Sequence, residues 1–150
     1  MKFLIPYYLT RNDDRSTAFD IRKYVQDLRN GNVDEFVTRM RALFADTPYD
    51  LVRDLENHYQ NQVWLFHKLM GMYVQAEYHT SCGRIDMVLL TPRFCYIVEF
   101  KFDGSAQDAL DQISRKDYAL PFTLSGQQII RIGINISPTT RNIDQCLIAR

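Results

Sequence analysis

The sequence is poor in the features that would set it apart from an ordinary folded domain. It has three cysteines in 150 residues, Cys82, Cys95 and Cys146, odd in number and far apart, with no CxxC or zinc-ligand spacing. That argues against a disulfide framework and reads as reduced thiols in a cytoplasmic protein. No apolar run approaches the roughly 18 residues that cross a bilayer, so no membrane partner is expected. The opening MKFLIPYYLT carries one Lys and a short apolar patch broken by Pro6; it lacks the longer core and small-residue cleavage site of a signal peptide. An excess of one charge is missing too. Lys plus Arg and Asp plus Glu both number 18, whereas a stand-alone binder of many phosphates is usually basic. Acidic metal ligands offset basic residues in nucleases, so neutrality weakens that reading and does not remove it. There is no internal repeat and no low-complexity segment. What is present, 46% hydrophobic and 24% charged residues, is the profile of one soluble domain with a core of its own.

The informative stretch runs from Gly83 to Lys101, GRIDMVLLTPRFCYIVEFK. Two apolar runs, Ile85 to Leu90 and Phe94 to Phe100, flank a turn at Thr91-Pro92-Arg93. Each is long enough for a strand and too short for a helix. Asp86 interrupts the first run, and Glu99 and Lys101 lie at the end of the second. Strand side chains alternate, so Glu99 and Lys101 share a face. In an antiparallel hairpin Asp86 falls opposite Val98 or Glu99. The second register sets two carboxylates face to face, with Cβ atoms roughly 5 Å apart. Such a pair repels, the more so when buried, unless a cation lies between.

The rest of the chain supplies a frame. Phe3 to Leu9 is an edge strand or extended linker, given Pro6. A first helix is expected from an N-cap at Ser16 through Phe19, Ile21, Tyr24, Val25 and Leu28 to Asn30-Gly31. A second follows from an Asn32 cap through Val33, Phe36, Val37, Met40, Leu43 and Phe44. A longer helix spans about Asp50 to Met70. On it Glu56 lies roughly 80° from the centre of the apolar stripe, at the border of core and solvent. It is either a solvated helix residue or a carboxylate able to reach over the rim of a sheet. Tyr73 to Tyr78 reads as a strand before a turn at His79-Thr80-Ser81, and the hairpin comes next. Ser105 and Asp108 then form a capping box for a helix with Ala106, Ala109, Leu110 and Ile113 inward, and Gln112 and Lys116 on one face. Gln128 to Ile136 is a strand, and Asn142 to Ile148 a further strand or short helix. The order implies an α/β fold, a mixed sheet with helices against its faces. Residues 1–47 form an extended segment and helical hairpin packed on a core of 48–150, together one compact body.

Asp86 followed by Glu99-Phe100-Lys101 on the next strand resembles the Asp…(Asp/Glu)-x-Lys signature of the PD-(D/E)XK, restriction-endonuclease-like nucleases. The order αβββαβ from Asp50 onward is that superfamily's core. The run Gly83-Arg84-Ile85-Asp86, the Glu99-Phe100-Lys101 triplet, Ala109 to Ile113 with Tyr118, and Gly133-Ile134-Asn135 are similar to one bacterial branch. In that branch the domain sits C-terminal to an AAA-type ATPase-like domain. The resemblance covers about Pro48 to Ile148. It implies a metal-dependent nuclease acting on nucleic acid, with DNA as the expected substrate. Asp86 and Glu99 would hold Mg²⁺ or Mn²⁺ with the backbone carbonyl of Phe100, and Glu56 would reach the metal or its water. Lys101 would orient the attacking water, and Gln112 would lie near the phosphate. It also implies an ATPase domain as a partner and allows a homodimer. Segments resembling Phe3-Leu4-Ile5-Pro6 precede the domain in the ATPase-linked proteins, which suggests a longer natural chain. Two departures stand out: Ile85 replaces the Pro before Asp86, and Gln112 and Tyr118 are six apart instead of four, which no shared helix face allows.

Two competing readings remain at this level. Lys101 pairs structurally with Glu99 or Asp86 and no metal binds, or the fold persists as a catalytically weak module that binds nucleic acid or an ATPase domain. Elsewhere the sequence offers little chemistry. Glu77 beside His79 reads as a solvated edge residue, and Arg84 as a partner for a nearby acid. His58 and His67 have no third ligand for zinc. Trp64 and Phe66 read as core, and Cys82 lacks a group that would activate it.

Overall fold

The computed structural model describes residues 20–46, 55–71, 75–80 and 83–150, with 55–57, 59–60, 75–80 and 83–85 described as backbone alone. The expectations for Phe3 to Leu9, for Ser16 and Phe19, and for the start of the long helix at Asp50 lie outside these residues. In chain order the elements are α1 (Ile21–Asn30), α2 (Val33–Ala45), α3 (Leu55–Met70), β1 (Gln75–Thr80), β2 (Gly83–Leu90), β3 (Phe94–Phe102), α4 (Ala106–Arg115), β4 (Gln128–Ser137) and β5 (Asn142–Ala149). The strands form one sheet in the order β1-β2-β3-β4-β5. Only β3 and β4 run parallel, joined by the α4 crossover; the other neighbours are antiparallel. This is the expected α/β restriction-endonuclease-like fold, with the last segment a strand.

Local chemistry fixes the helical hairpin. The carboxylate of Asp20 accepts the Arg22 N–H at 3.1 Å, so Asp20 is the N-cap of α1. Gly31 ends α1 with φ at 76°, and the Asn32 N–H returns to the Asp27 carbonyl at 2.8 Å. A Cβ on Gly31 would also lie 2.8 Å from the Phe94 ring, so that position is closed to side chains twice over. Asn32 occupies the N-cap of α2 but makes no side-chain cap, a correction to its expected role. Between the helices, Arg39 Nε donates to Asp27 Oδ2 at 2.7 Å. Tyr24, Phe36 and Phe66, one from each of α1, α2 and α3, pack edge to face with centroids 5.2 to 5.8 Å apart.

Alternation along β3 divides the molecule into two layers. Phe94, Tyr96 and Val98 face α1, α2 and α3 in one continuous core with Met87, Leu89 and the four isoleucines 130, 132, 134 and 136. Cys95 and Ile97 face the other way, into a smaller cluster with Val88, Ile113, Tyr118 and Phe122. The Tyr73–Tyr78 strand runs further than expected at its far end: His79 and Thr80 belong to β1, opposite Arg84 and Gly83, because pairing with β2 satisfies a backbone whose polar side chains alone suggest a turn; its expected start at Tyr73 lies outside the described residues. Trp64 is the clearer correction, at 41% exposure, while Phe66 is buried as expected.

Candidate active site

The site lies where β2 and β3 part. Their ladder pairs Leu90 with Cys95 and Met87 with Val98, so the next step sets Asp86 opposite Glu99. Here the carboxylates enter the ladder. The Phe100 N–H donates to Asp86 Oδ2 at 2.9 Å, and the Asp86 N–H donates to Glu99 Oε2 at 3.4 Å. The register that turns the two carboxylates toward each other is the one the chain adopts. Both share the face of Cys95 and Ile97, toward α4.

From α4, Gln112 closes the group. Its Nε2 donates to Glu99 Oε1 at 2.6 Å and its Oε1 accepts from Lys101 Nζ, so one amide bridges the carboxylate and the ammonium. Lys101 is thus joined to Glu99 through Gln112. Glu99 is 4% exposed. Burial first, and the charge of Asp86 second, push its carboxyl up from an ordinary 4.5 to about 8. At neutral pH, without a cation, this carboxyl keeps its proton. Asp86 and Glu99 are two oxygen donors that could hold a divalent ion, which would offset the repulsion between them. Among the described residues no three His, Cys, Asp or Glu side chains gather as ligands. Glu56 lies in the first turn of α3, its side chain outside the described residues; the buried residues of α3 pack on the face of the sheet opposite Glu99.

Tyr118 answers the spacing problem. Helix α4 stops at Arg115, and Asp117 at φ 52° turns the chain back so that the Tyr118 N–H reaches the Ile113 carbonyl at 3.1 Å. Tyr118 is buried, with its hydroxyl 3.5 Å from Gln112 Nε2. A helical wheel does not apply past the helix end, so six residues suffice. Lys116, at the C-cap, is exposed.

Two residues without a place in the sequence-level site hold α4 where Gln112 can act. A Cβ on Gly133 of β4 would lie 2.3 Å from the Ala106 carbonyl oxygen and 3.0 Å from the Leu110 nitrogen, so the helix backbone rests directly on the strand. Beside Lys101 in the ladder, Asn135 is 2% exposed. Its Oδ1 accepts the Gly104 N–H at 2.8 Å and its Nδ2 donates to Asp144 Oδ1 at 2.9 Å. The Ala106 N–H, at the start of α4, donates to Gln145 Oε1 at 3.1 Å. The signal was in the sequence: Gly133 and Asn135 are the only breaks in Ile-Gly-Ile-Asn-Ile, and two residues apart on a strand means one face.

A mixed sheet whose central strands diverge around two facing carboxylates, with a lysine and a glutamine bridged beside them, defines the class of restriction-endonuclease-like folds. The chain belongs to the PD-(D/E)XK nuclease superfamily, whose family model matches residues 54–146. It is also 32% identical over 113 residues to an uncharacterized protein in the vnfD 5′ region of Azotobacter chroococcum mcd 1. That alignment takes in 71% of this chain and 22% of the relative, so the chain spans about a fifth of the relative's length.

Proposed function

We propose that this chain is a metal-dependent nuclease that hydrolyses phosphodiester bonds in nucleic acid, with DNA as the substrate. The observation that carries the reading is Asp86 facing Glu99 on the side of β3 that also bears Lys101, with Glu99 and Lys101 both bonded to Gln112. Asp86 and Glu99 would hold Mg²⁺ or Mn²⁺, with the Phe100 carbonyl as a further ligand and Glu56 reaching the metal or its water. The ion, when bound, supplies a water of lowered pKa and offsets charge on the phosphate. Lys101 would orient the attacking water and steady the growing negative charge. Gln112, released from its bridge, donates its amide to a phosphate oxygen. In this reading an AAA-type ATPase domain is a partner, the chain belongs to the ATPase-linked branch and it works in the cytoplasm. No helix among the described residues is long and apolar enough to cross a membrane.

Incubation with plasmid and with labelled oligonucleotides in Mg²⁺ or Mn²⁺ tests the proposal. Cleavage is expected from the native chain and is expected to fall at least about a hundredfold in Asp86→Ala and in Lys101→Ala. Cleavage that persists in both variants, or an inert native chain across metals, overturns it. The inert result, joined to tight nucleic-acid binding, would assign the fold to binding.

A further inference from the structure

Trp64 is the only tryptophan in the chain and stands 41% exposed on α3, although the sequence around it reads as core. One turn later Lys68 sets its ammonium 5.7 Å from the centre of the indole ring. With exposed Asn61 three residues before, the helix presents Asn61, Trp64 and Lys68 on one outward stripe. The opposite side of α3 buries Val63, Phe66 and Met70 in the main core. The helix packs on β1 and on β2, the strand that carries Asp86, and β1 is the edge of the sheet.

We infer that Trp64 and Lys68 form a stacking contact for an unpaired base, so that the substrate is single-stranded nucleic acid or a duplex with a single-stranded end. The inference rests on the nuclease reading and specifies its substrate. Three observations favour a base over a protein partner. A protein patch needs contiguous apolar area of several hundred Å². Among the described residues, the other exposed large apolar side chains, Leu120, Leu124 and Leu147, lie on other parts of the chain. A flat indole amid polar neighbours suits a nucleobase, which offers a π-face whatever its identity, and the adjacent ammonium suits the phosphate next to it. The charge balance argues the same way. With 18 basic and 18 acidic residues the chain has no charge excess to draw a phosphate backbone, and stacking supplies affinity that does not depend on one. Asp86 faces α4 and α3 packs on the opposite face of the sheet, so a strand bound at Asp86 would reach Trp64 by passing round the β1 edge.

The test uses the full chain in EDTA, where cleavage is suppressed, and reads the intrinsic fluorescence of Trp64. Oligo-dT is expected to quench it saturably, and a blunt duplex of equal length to do so far less. By anisotropy of labelled oligo-dT, Trp64→Ala should weaken binding roughly tenfold to a hundredfold, the worth of one stacked base. Trp64→Tyr should keep most of the affinity, and Lys68→Ala should lose a few-fold. Trp64 is exposed, so these variants should fold, and circular dichroism checks it. Equal quenching by duplex, unchanged affinity in Trp64→Ala, or no binding to oligo-dT overturns the inference. So does a concentration-dependent blue shift of Trp64 without nucleic acid, which would make the face a protein contact. Quenching without cleavage in any metal sinks the hydrolytic reading alone; cleavage indifferent to Trp64→Ala sinks the stacking contact alone.

Discussion

The two faces of the sheet are built on different principles. Against α1, α2 and α3 the sheet buries a continuous apolar core in which Tyr24, Phe36, Met40, Met70, Met87 and Tyr96 are sealed from solvent. Against α4 it buries a smaller apolar cluster, then gives way at one end to Asp86, Glu99, Lys101 and Gln112. The first face stabilises by area removed from water, and the second holds two facing carboxylates, one of them buried, at an electrostatic cost. Stability and activity should therefore separate by face.

The largest effect should come from breaking the apolar face. Phe36 is 1% exposed at the centre of the aromatic trio, and Phe36→Ala should cost about 3–5 kcal/mol, cavity included. Denaturant melts read the loss, and specific cleavage per folded molecule should hardly change. A proportional loss of activity would show that the two faces do not act independently.

Gly133→Ala attacks the other face. A methyl group 2.3 Å from the Ala106 carbonyl must lift α4 from β4, at about 1–3 kcal/mol, and carries Gln112 away from Glu99. Here activity should fall much more than stability does. Asn135→Ala should act in the same sense by leaving the Gly104 N–H without its side-chain acceptor, and Asn135→Asp with Asp144→Asn should restore both bonds.

Glu99→Gln should reverse the usual direction. Without a metal the Glu99 carboxyl titrates at about 8 in the fold and near 4.5 unfolded, so the native state holds the extra proton. Its contribution to stability is complete below about pH 4.5 and is lost as pH climbs through 8. Glutamine has no proton to lose. Thermal melts in EDTA should show the variant several degrees more stable at pH 8.5 and matching the native chain at pH 4.5, while cleavage disappears. Divalent ions should stabilise the native chain and not the variant. A variant less stable than the native chain at pH 8.5 would mean that Glu99 is not held at a cost.

Much of this contrast was legible in the sequence. Period-two alternation fixed which of the residues from Cys95 to Lys101 face α4, and hydrophobic spacing located every described helix within a few residues. What period cannot supply is context. Trp64 sits among Val63, Leu65 and Phe66, and only the packing of α3 decides which side of the helix is wet. His79 and Thr80 look like turn residues until the partner strand is known. The bridge made by Gln112 was out of reach for a related reason: it depends on how close α4 lies to β4, a distance set by the missing side chain at Gly133.

Tyr118→Phe gives the smallest and most discriminating test. Its ring is part of the apolar cluster beneath α4, and its hydroxyl stands 3.5 Å from Gln112 Nε2, at the outer limit of a hydrogen bond. If the ring does the work, Tyr118→Phe keeps the packing and should change stability by about 0.5 kcal/mol or less, with cleavage within a few-fold of native. Tyr118→Ala, which empties the space under Gln112, should then cost about 3–5 kcal/mol and most of the activity. A steep loss of cleavage in Tyr118→Phe with stability intact would show instead that the hydroxyl orients Gln112. The polar group would then extend one residue deeper into α4's side of the sheet, and the boundary between the supporting core and the reactive cluster would run through a single aromatic side chain.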